Sequence, residues 1–195
     1  MSKEYRPRLN EKENQFLQEH RRTKVNRLIV GDIHLPYTHP RYLQHCIDIY
    51  KKHDCNAVSM TGDIIDSHFA SFHSINTETH GAKYELDMAI KETNEVLKCP
   101  DWIFEEQFLH DNVLYTHGTG CSGKSIMKRV QNWGHSMVQG HVHTQAFVDF
   151  TASLTDLKWG MQAPCGIDYK SFAFSYAKFH TAKPILGCAV VLDNG

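Results

Sequence analysis

Apolar residues along the chain gather into short runs, each halted by a glycine or a polar pair. Leu28-Ile29-Val30, Ala57-Val58-Ser59-Met60, Asn112-Val113-Leu114 and Ser136-Met137-Val138 are such runs, and their length and content predict buried strands. Between them the period changes. Leu43, Cys46, Ile47 and Tyr50 recur at helical spacing, which predicts a one-sided helix from about Pro40 to His53. Leu86, Ala89, Ile90 and Leu97 predict a second amphipathic helix. Ile126, Met127, Val130 and Trp133 predict a third, which Gly134 is placed to end. Trp102–Phe108 and Val113–Tyr115 read as adjacent strands with a turn at Asp111-Asn112. Beyond His143 the pattern is strand-like, clearest at Ala146–Phe150 and Ile185–Leu192. Strands that alternate with helices and then give way to strands predict an α/β class, a layered sandwich flanked by helices. Residues 1–24, polar and rich in Lys, Arg and Glu, read as an N-terminal arm, and residues 25–195 as a single domain.

Composition narrows the class without naming it. A chain of 195 residues can bury a sizeable core without disulfides. Hydrophobic content of 41%, charged content of 22% and a net charge of −1 are ordinary for a globular protein and offer no global field for nucleic acid or an anionic membrane. The basic pieces Arg6-Pro7-Arg8 and Arg21-Arg22-Thr23-Lys24 read as solvated, the alternative being contact with a nucleic-acid backbone. Trp102, Trp133 and Trp159 read as core or half-core residues. The six cysteines form no C-x-x-C pair, so they read as buried thiols in a reducing, cytoplasmic compartment. The first twenty residues are charged and lack an apolar h-region, and no long apolar run follows. Neither secretion nor a membrane span is expected.

The predicted strands end on chemistry. Gly31-Asp32-Ile33-His34, Gly62-Asp63-Ile64-Ile65-Asp66, Tyr115-Thr116-His117-Gly118 and Gly140-His141-Val142-His143 each follow one of the apolar runs. Open α/β sheets place ligand crevices at such strand ends. Asp oxygen and His nitrogen together suit borderline divalent cations such as Zn, Mn or Fe. Six such donors, Asp32, His34, Asp63, His117, His141 and His143, are too many for one four-coordinate ion and suit two. Taken alone, each has a plainer reading: Asp32 as a turn residue, His34 as a surface His, His117 as part of a cheap H-G dipeptide. Asp66 reads as a cap of the turn or helix that follows it.

The ordered set resembles the signature of the calcineurin-like metallophosphoesterases, which runs D-x-H, G-D-x-x-D, G-N-H-D/E, H-G and G-H-x-H. The resemblance spans roughly residues 26–143. Cys165-Gly166-Ile167-Asp168 and Tyr176-Ala177-Lys178 add a looser likeness to phage and bacterial members. It implies that Asp32, His34, Asp63 and His143 hold a first metal, and that His117 and His141 hold a second that shares Asp63. It also implies a phosphoester substrate, with nucleotides and nucleic acid within that class. One piece is missing, since no Gly-Asn-His occurs between Asp66 and His117. In the family its Asn is a ligand of the second metal and its His protonates the leaving group. The gap reads as an internal deletion near Cys99-Pro100-Asp101-Trp102, with Asn94 an unsuitable substitute inside a helical pattern. The activity expected is therefore an impaired hydrolase or, alternatively, a catalytically silent metal-binding scaffold. His68 and His73 read as loop histidines, with substitute proton donation as the other possibility.

Gly118-Thr-Gly-Cys-Ser-Gly123-Lys124-Ser125 also fits the P-loop expression G-x-x-x-x-G-K-S. Against nucleotide hydrolysis by this loop, the next predicted strand ends in metal-type histidines rather than a Walker-B Asp. A milder reading is a Lys-bearing loop beside the metals that holds a substrate phosphate.

Overall fold

The computed structural model describes residues 25–66, 83–84, 86–88, 90–91, 103, 105–171 and 181–192. The readings of the N-terminal arm, His68, His73, Asn94, Leu97, the suspected deletion at 99–102 and Tyr176-Ala177-Lys178 fall outside them. Among the described residues eight strands form two sheets: β1 Arg27–Val30, β2 Ala57–Met60, β3 Gln107–His110, β4 Val113–Thr116, β5 Ser136–Gln139, β6 Phe147–Ala152, β7 Leu157–Gln162 and β8 Ala189–Val191. One sheet runs β2-β1-β8 and the other β3-β4-β5-β7-β6. Helices Tyr42–Lys52 and Ile126–Trp133 flank them, so the protein is an α/β sandwich.

Side-chain alternation within each short strand explains the layering. Ile29, Val113, Tyr115, Val138, Met161, Ala163 and Val191 pack together between the sheets. The neighbours of these residues turn outward: Leu28 and Val30 meet Tyr42 and Cys46 of the first helix, and Leu114 and Met137 meet Ile126 and Val130 of the other. Both faces of β1, β4 and β5 are buried, which is why these runs read as continuous rather than alternating apolar segments. The strands bearing the candidate site pair in parallel, β1 with β2 and β4 with β5. Their carboxyl ends therefore emerge side by side.

Local signals place several boundaries. Asp111 and Asn112 both take positive φ, 53° and 61°, as a two-residue turn between antiparallel β3 and β4 requires. Gly134 is left-handed at φ 69°, and its N–H donates to the Val130 carbonyl at 2.9 Å, ending the helix.

Other expectations need correction. The buried stripe of the first helix is rotated, with Tyr42 and Cys46 inside and Ile47 46% exposed. Of the second predicted stripe, Leu86 and Ile90 are helical but about half exposed. Trp133 is 51% exposed at the last turn of its helix. Strand β3 begins only at Gln107, and the run Ile185–Leu192 narrows to Ala189–Val191 plus one bridge between Cys165 and Leu186. Strand β7 matches none of the clear apolar runs. Among the described residues no helix is long and apolar enough to cross a membrane.

The layering makes Ile29, fully buried between the sheets, a keystone, whereas Val58 on the edge strand is 38% exposed. Ile29→Ala should cost about 2–5 kcal/mol and Val58→Ala well under half of that. Urea denaturation of both variants checks the ranking.

Candidate metal centre

Asp32, one residue past the glycine that ends β1, is 1% exposed. Its Oδ1 accepts the Asp63 N–H at 2.8 Å and its Oδ2 accepts the His141 N–H at 2.8 Å. The backbone carbonyl of Asp32 accepts the Gly166 N–H at 2.7 Å. The loops after β1, β2 and β5 thus close on one carboxylate. Such approach is possible only without side chains: a Cβ at Gly62 would overlap Asp32 Oδ1, and one at Gly140 would stand 2.6 Å from the Thr61 carbonyl. The glycines of Gly62-Asp63 and Gly140-His141 are therefore packing requirements of the site.

Two donor groups surround this carboxylate. Asp32, His34 and His143 each offer a ligand atom within 4.8 Å of the others, and so do Asp32, Asp63 and His117. His143 Nε2 stands 3.4 Å from Asp32 Oδ2, and His117 Nδ1 stands 3.3 Å from Asp32 Oδ1. Asp63, half exposed, sets Oδ1 3.6 Å from His117 Nε2 and Oδ2 4.0 Å from His34 Nε2. The rings pair edge to face, His34 with His143 and His117 with His141, each at 4.9 Å between centroids. Asp32, rather than Asp63, is the carboxylate common to both triads. Asp32 is buried between His117 and His143, whereas Asp63 is half exposed.

His141 belongs to neither triad. Regular strand spacing would send His141 and His143 to one face, but His141 is left-handed at φ 69° and Val142 N–H donates to the Gly140 carbonyl at 2.8 Å. That three-residue turn directs His141 toward His117 and His143 toward His34. His34 is also left-handed, at φ 49°. Two non-glycine residues in this sparsely populated region, both facing the same carboxylate, are backbone strain gathered at one site.

Asp66 supports His34, while the turn or helix it is expected to cap lies outside the described residues. It is buried, and its Oδ1 lies 2.7 Å from His34 Nδ1. A carboxylate behind an imidazole fixes ring orientation and raises the basicity of the opposite nitrogen. The spacing Asp63-x-x-Asp66 is visible in the sequence; that Asp66 turns back to His34 depends on Leu35 and Ile65 bridging in parallel.

Electrostatics follow from this packing. Burial pushes the Asp32 carboxyl up, but His143, the Asp63 N–H and His117 outweigh it and hold the group at about 2. Burial pulls His34 down, but Asp66, with Asp32 and Asp63 behind it, raises it above the ordinary value. Burial and neighbouring His117 lower His141, which favours a neutral, donor-ready ring. His143 Nε2 is buried with no hydrogen-bond partner among the described residues. An ionised carboxylate flanked by imidazole nitrogens fits a borderline divalent cation.

The P-loop-like segment leads through Gly123–Ser125 into the helix Ile126–Trp133. Ser125 Oγ donates to the Ser122 carbonyl at 2.7 Å, and Lys124 is exposed. Strand β5, which follows it, ends at Gln139 and runs on into Gly140 and His141.

No family model and no curated protein matches the chain. Among solved structures, it is similar to Vacuolar Protein Sorting 29 from Cryptosporidium parvum, with 12% identity and a TM-score of 0.47, over 88% of this chain and 87% of that one.

The depressed Asp32 carboxyl predicts a pH dependence for the metal-free protein. Its folded value of about 2 lies below the ordinary 3.8, so its contribution is complete above the unfolded value and is lost as pH falls from about 4 to 2. The amount is on the order of 2 kcal/mol. Asp32→Asn should remove that acid limb from a stability–pH profile followed by urea denaturation.

Proposed function

We propose that the chain is a metal-dependent phosphoester hydrolase, a phosphomonoesterase or phosphodiesterase, organised around two divalent ions. The observation that carries this reading is the meeting of two donor triads at Asp32, on loops from neighbouring strand ends. Asp32, His34 and His143 would hold one ion, and Asp32, Asp63 and His117 the other, with His141 beside them. Oxygen and nitrogen donors of this kind suit Mn, Zn or Fe. When bound, such a pair acidifies a water and clamps a phosphoryl group for in-line attack.

The residues of the chain prepare that chemistry. Asp66 anchors His34 through Nδ1, so in the neutral ring Nε2 keeps the lone pair that faces Asp63. Asp32 remains ionised because two backbone N–H groups and two imidazoles support its charge. Asp63, half exposed at the mouth, borders the path by which a phosphoester enters. Protonation of the leaving group is the weak step, because the sequence lacks a Gly-Asn-His between Asp66 and His117. That absence favours a second reading, a metal-binding scaffold of the same fold without turnover. The free cysteines among the described residues support a reducing, cytoplasmic setting.

With Mn²⁺ supplied, p-nitrophenyl phosphate or its bis ester should be hydrolysed. Unactivated alkyl esters should turn over about 10²–10⁴-fold more slowly for want of a general acid. Mn²⁺ binding without turnover of either aryl ester would establish the scaffold reading instead.

The two ions should also differ. Asp63→Ala leaves the triad of Asp32, His34 and His143 whole, so calorimetry should still find one tight Mn²⁺ while aryl phosphatase activity is lost. Two ions retained in that variant, with activity, would contradict the assignment of Asp63.

A further inference from the structure

Two glutamines occupy positions where apolar residues would pack more cheaply. Gln139 ends β5 and Gln162 ends β7, directly opposite each other in the parallel pairing, and they are 0% and 1% exposed. Burying two side-chain amides is costly unless they are hydrogen-bonded. Here the bonds run in one direction. Arg129, half-buried on helix Ile126–Trp133, donates from Nη1 to Gln139 Oε1 at 2.8 Å. Gln139 Nε2 donates to Gln162 Oε1 at 2.9 Å. Gln162 Nε2 then donates to the Gly140 carbonyl at 2.8 Å, with the Ala163 and Gln139 carbonyls at 3.2 and 3.4 Å.

Arginine fixes that direction, because guanidinium has donors and no acceptor. If the Gln139 amide were turned round, its NH₂ would face Arg129. Gln162 would have to turn with it, and its oxygen would then face the Gly140 carbonyl. The last bond of the chain holds the residue that precedes His141 and His143. Gln139 also bounds the turn after His117, since a Cβ at Gly118 would stand 3.2 Å from Gln139 Cβ.

We infer that Arg129, Gln139 and Gln162 form a one-way hydrogen-bond relay that sets the Gly140–His143 turn against Asp32, making the three of them positioning residues for the metal centre. The inference rests on the metal-centre reading of Asp32, His34 and His143. None of the three glutamine and arginine side chains is a ligand; they act through the Gly140 carbonyl, and a positively charged residue on the helix is what orients both amides.

Mn²⁺ calorimetry and the visible spectrum of bound Co²⁺, on the wild-type protein, Arg129→Met and Arg129→Lys, test it. Arg129→Met should bind Mn²⁺ roughly tenfold more weakly and shift the Co²⁺ spectrum, and Arg129→Lys, which keeps a donor-only cation, should recover most of both. Unchanged affinity and spectrum in Arg129→Met would overturn the relay. If Arg129→Met does not fold, a Gln139→Leu/Gln162→Leu double variant replaces the amides by apolar groups of similar size, and wild-type affinity there would overturn the relay equally. Failure of the wild-type protein to bind either ion is a separate result, which overturns the metal-centre reading and the relay with it.

Discussion

A single buried carboxylate ties the two sheets together at their carboxyl ends. Asp32 follows β1 in one sheet, and its oxygens take N–H groups from Asp63, after β2 in that sheet, and from His141, after β5 in the other. A charge taken out of water is costly unless paired and fully hydrogen-bonded. Charge-assisted bonds at 2.8 Å, with His117 and His143 beside them, meet that condition. The close approach dictates the local sequence. Gly31 lies against Pro164, Gly62 against Asp32 and Gly140 against Thr61, each too near to admit a side chain. The repeated pattern of glycine before Asp or His therefore has one cause.

The same closeness generates the chemistry. Left-handed backbone at His34 and His141 turns two imidazoles inward that an extended strand end would direct elsewhere. Asp66 braces one of them from behind. The donors differ in depth: Asp32 and His34 are buried, His117 and His143 are partly buried, and Asp63 is half exposed. The triad that includes Asp63 is the more exposed of the two. The proposal of a phosphoester substrate stands on that arrangement together with the ordered sequence signature.

Much of this arrangement is legible in the order of residues alone. Apolar runs mark β1, β2, β4 and β5; β1, β4 and β5, buried on both faces, need no alternation. Helix Ile126–Trp133 is marked by its spacing and by Gly134. What is not legible depends on tertiary contact. Strand β7 is interrupted in sequence by Lys158 and Gly160, and glycine weakens a strand pattern; here it is needed because a Cβ would stand 3.0 Å from Ile126 and Met127 of the packed helix. The inward turn of Asp66 and the rotation of the first helix toward Tyr42 depend on neighbours distant in the chain. So does the pairing of Gln139 with Gln162, 23 residues apart. The family resemblance implies Asp63 as the shared carboxylate, whereas the two donor groups of the structure have Asp32 in common.

The most direct test of the centre built on Asp32 is anomalous diffraction from crystals of the protein grown with Mn²⁺. Two peaks roughly 3.5–4 Å apart are expected, one touching Asp32, His34 and His143 and the other touching Asp32, Asp63 and His117. Full loading with Mn²⁺ whose peaks lie away from Asp32 would contradict the account.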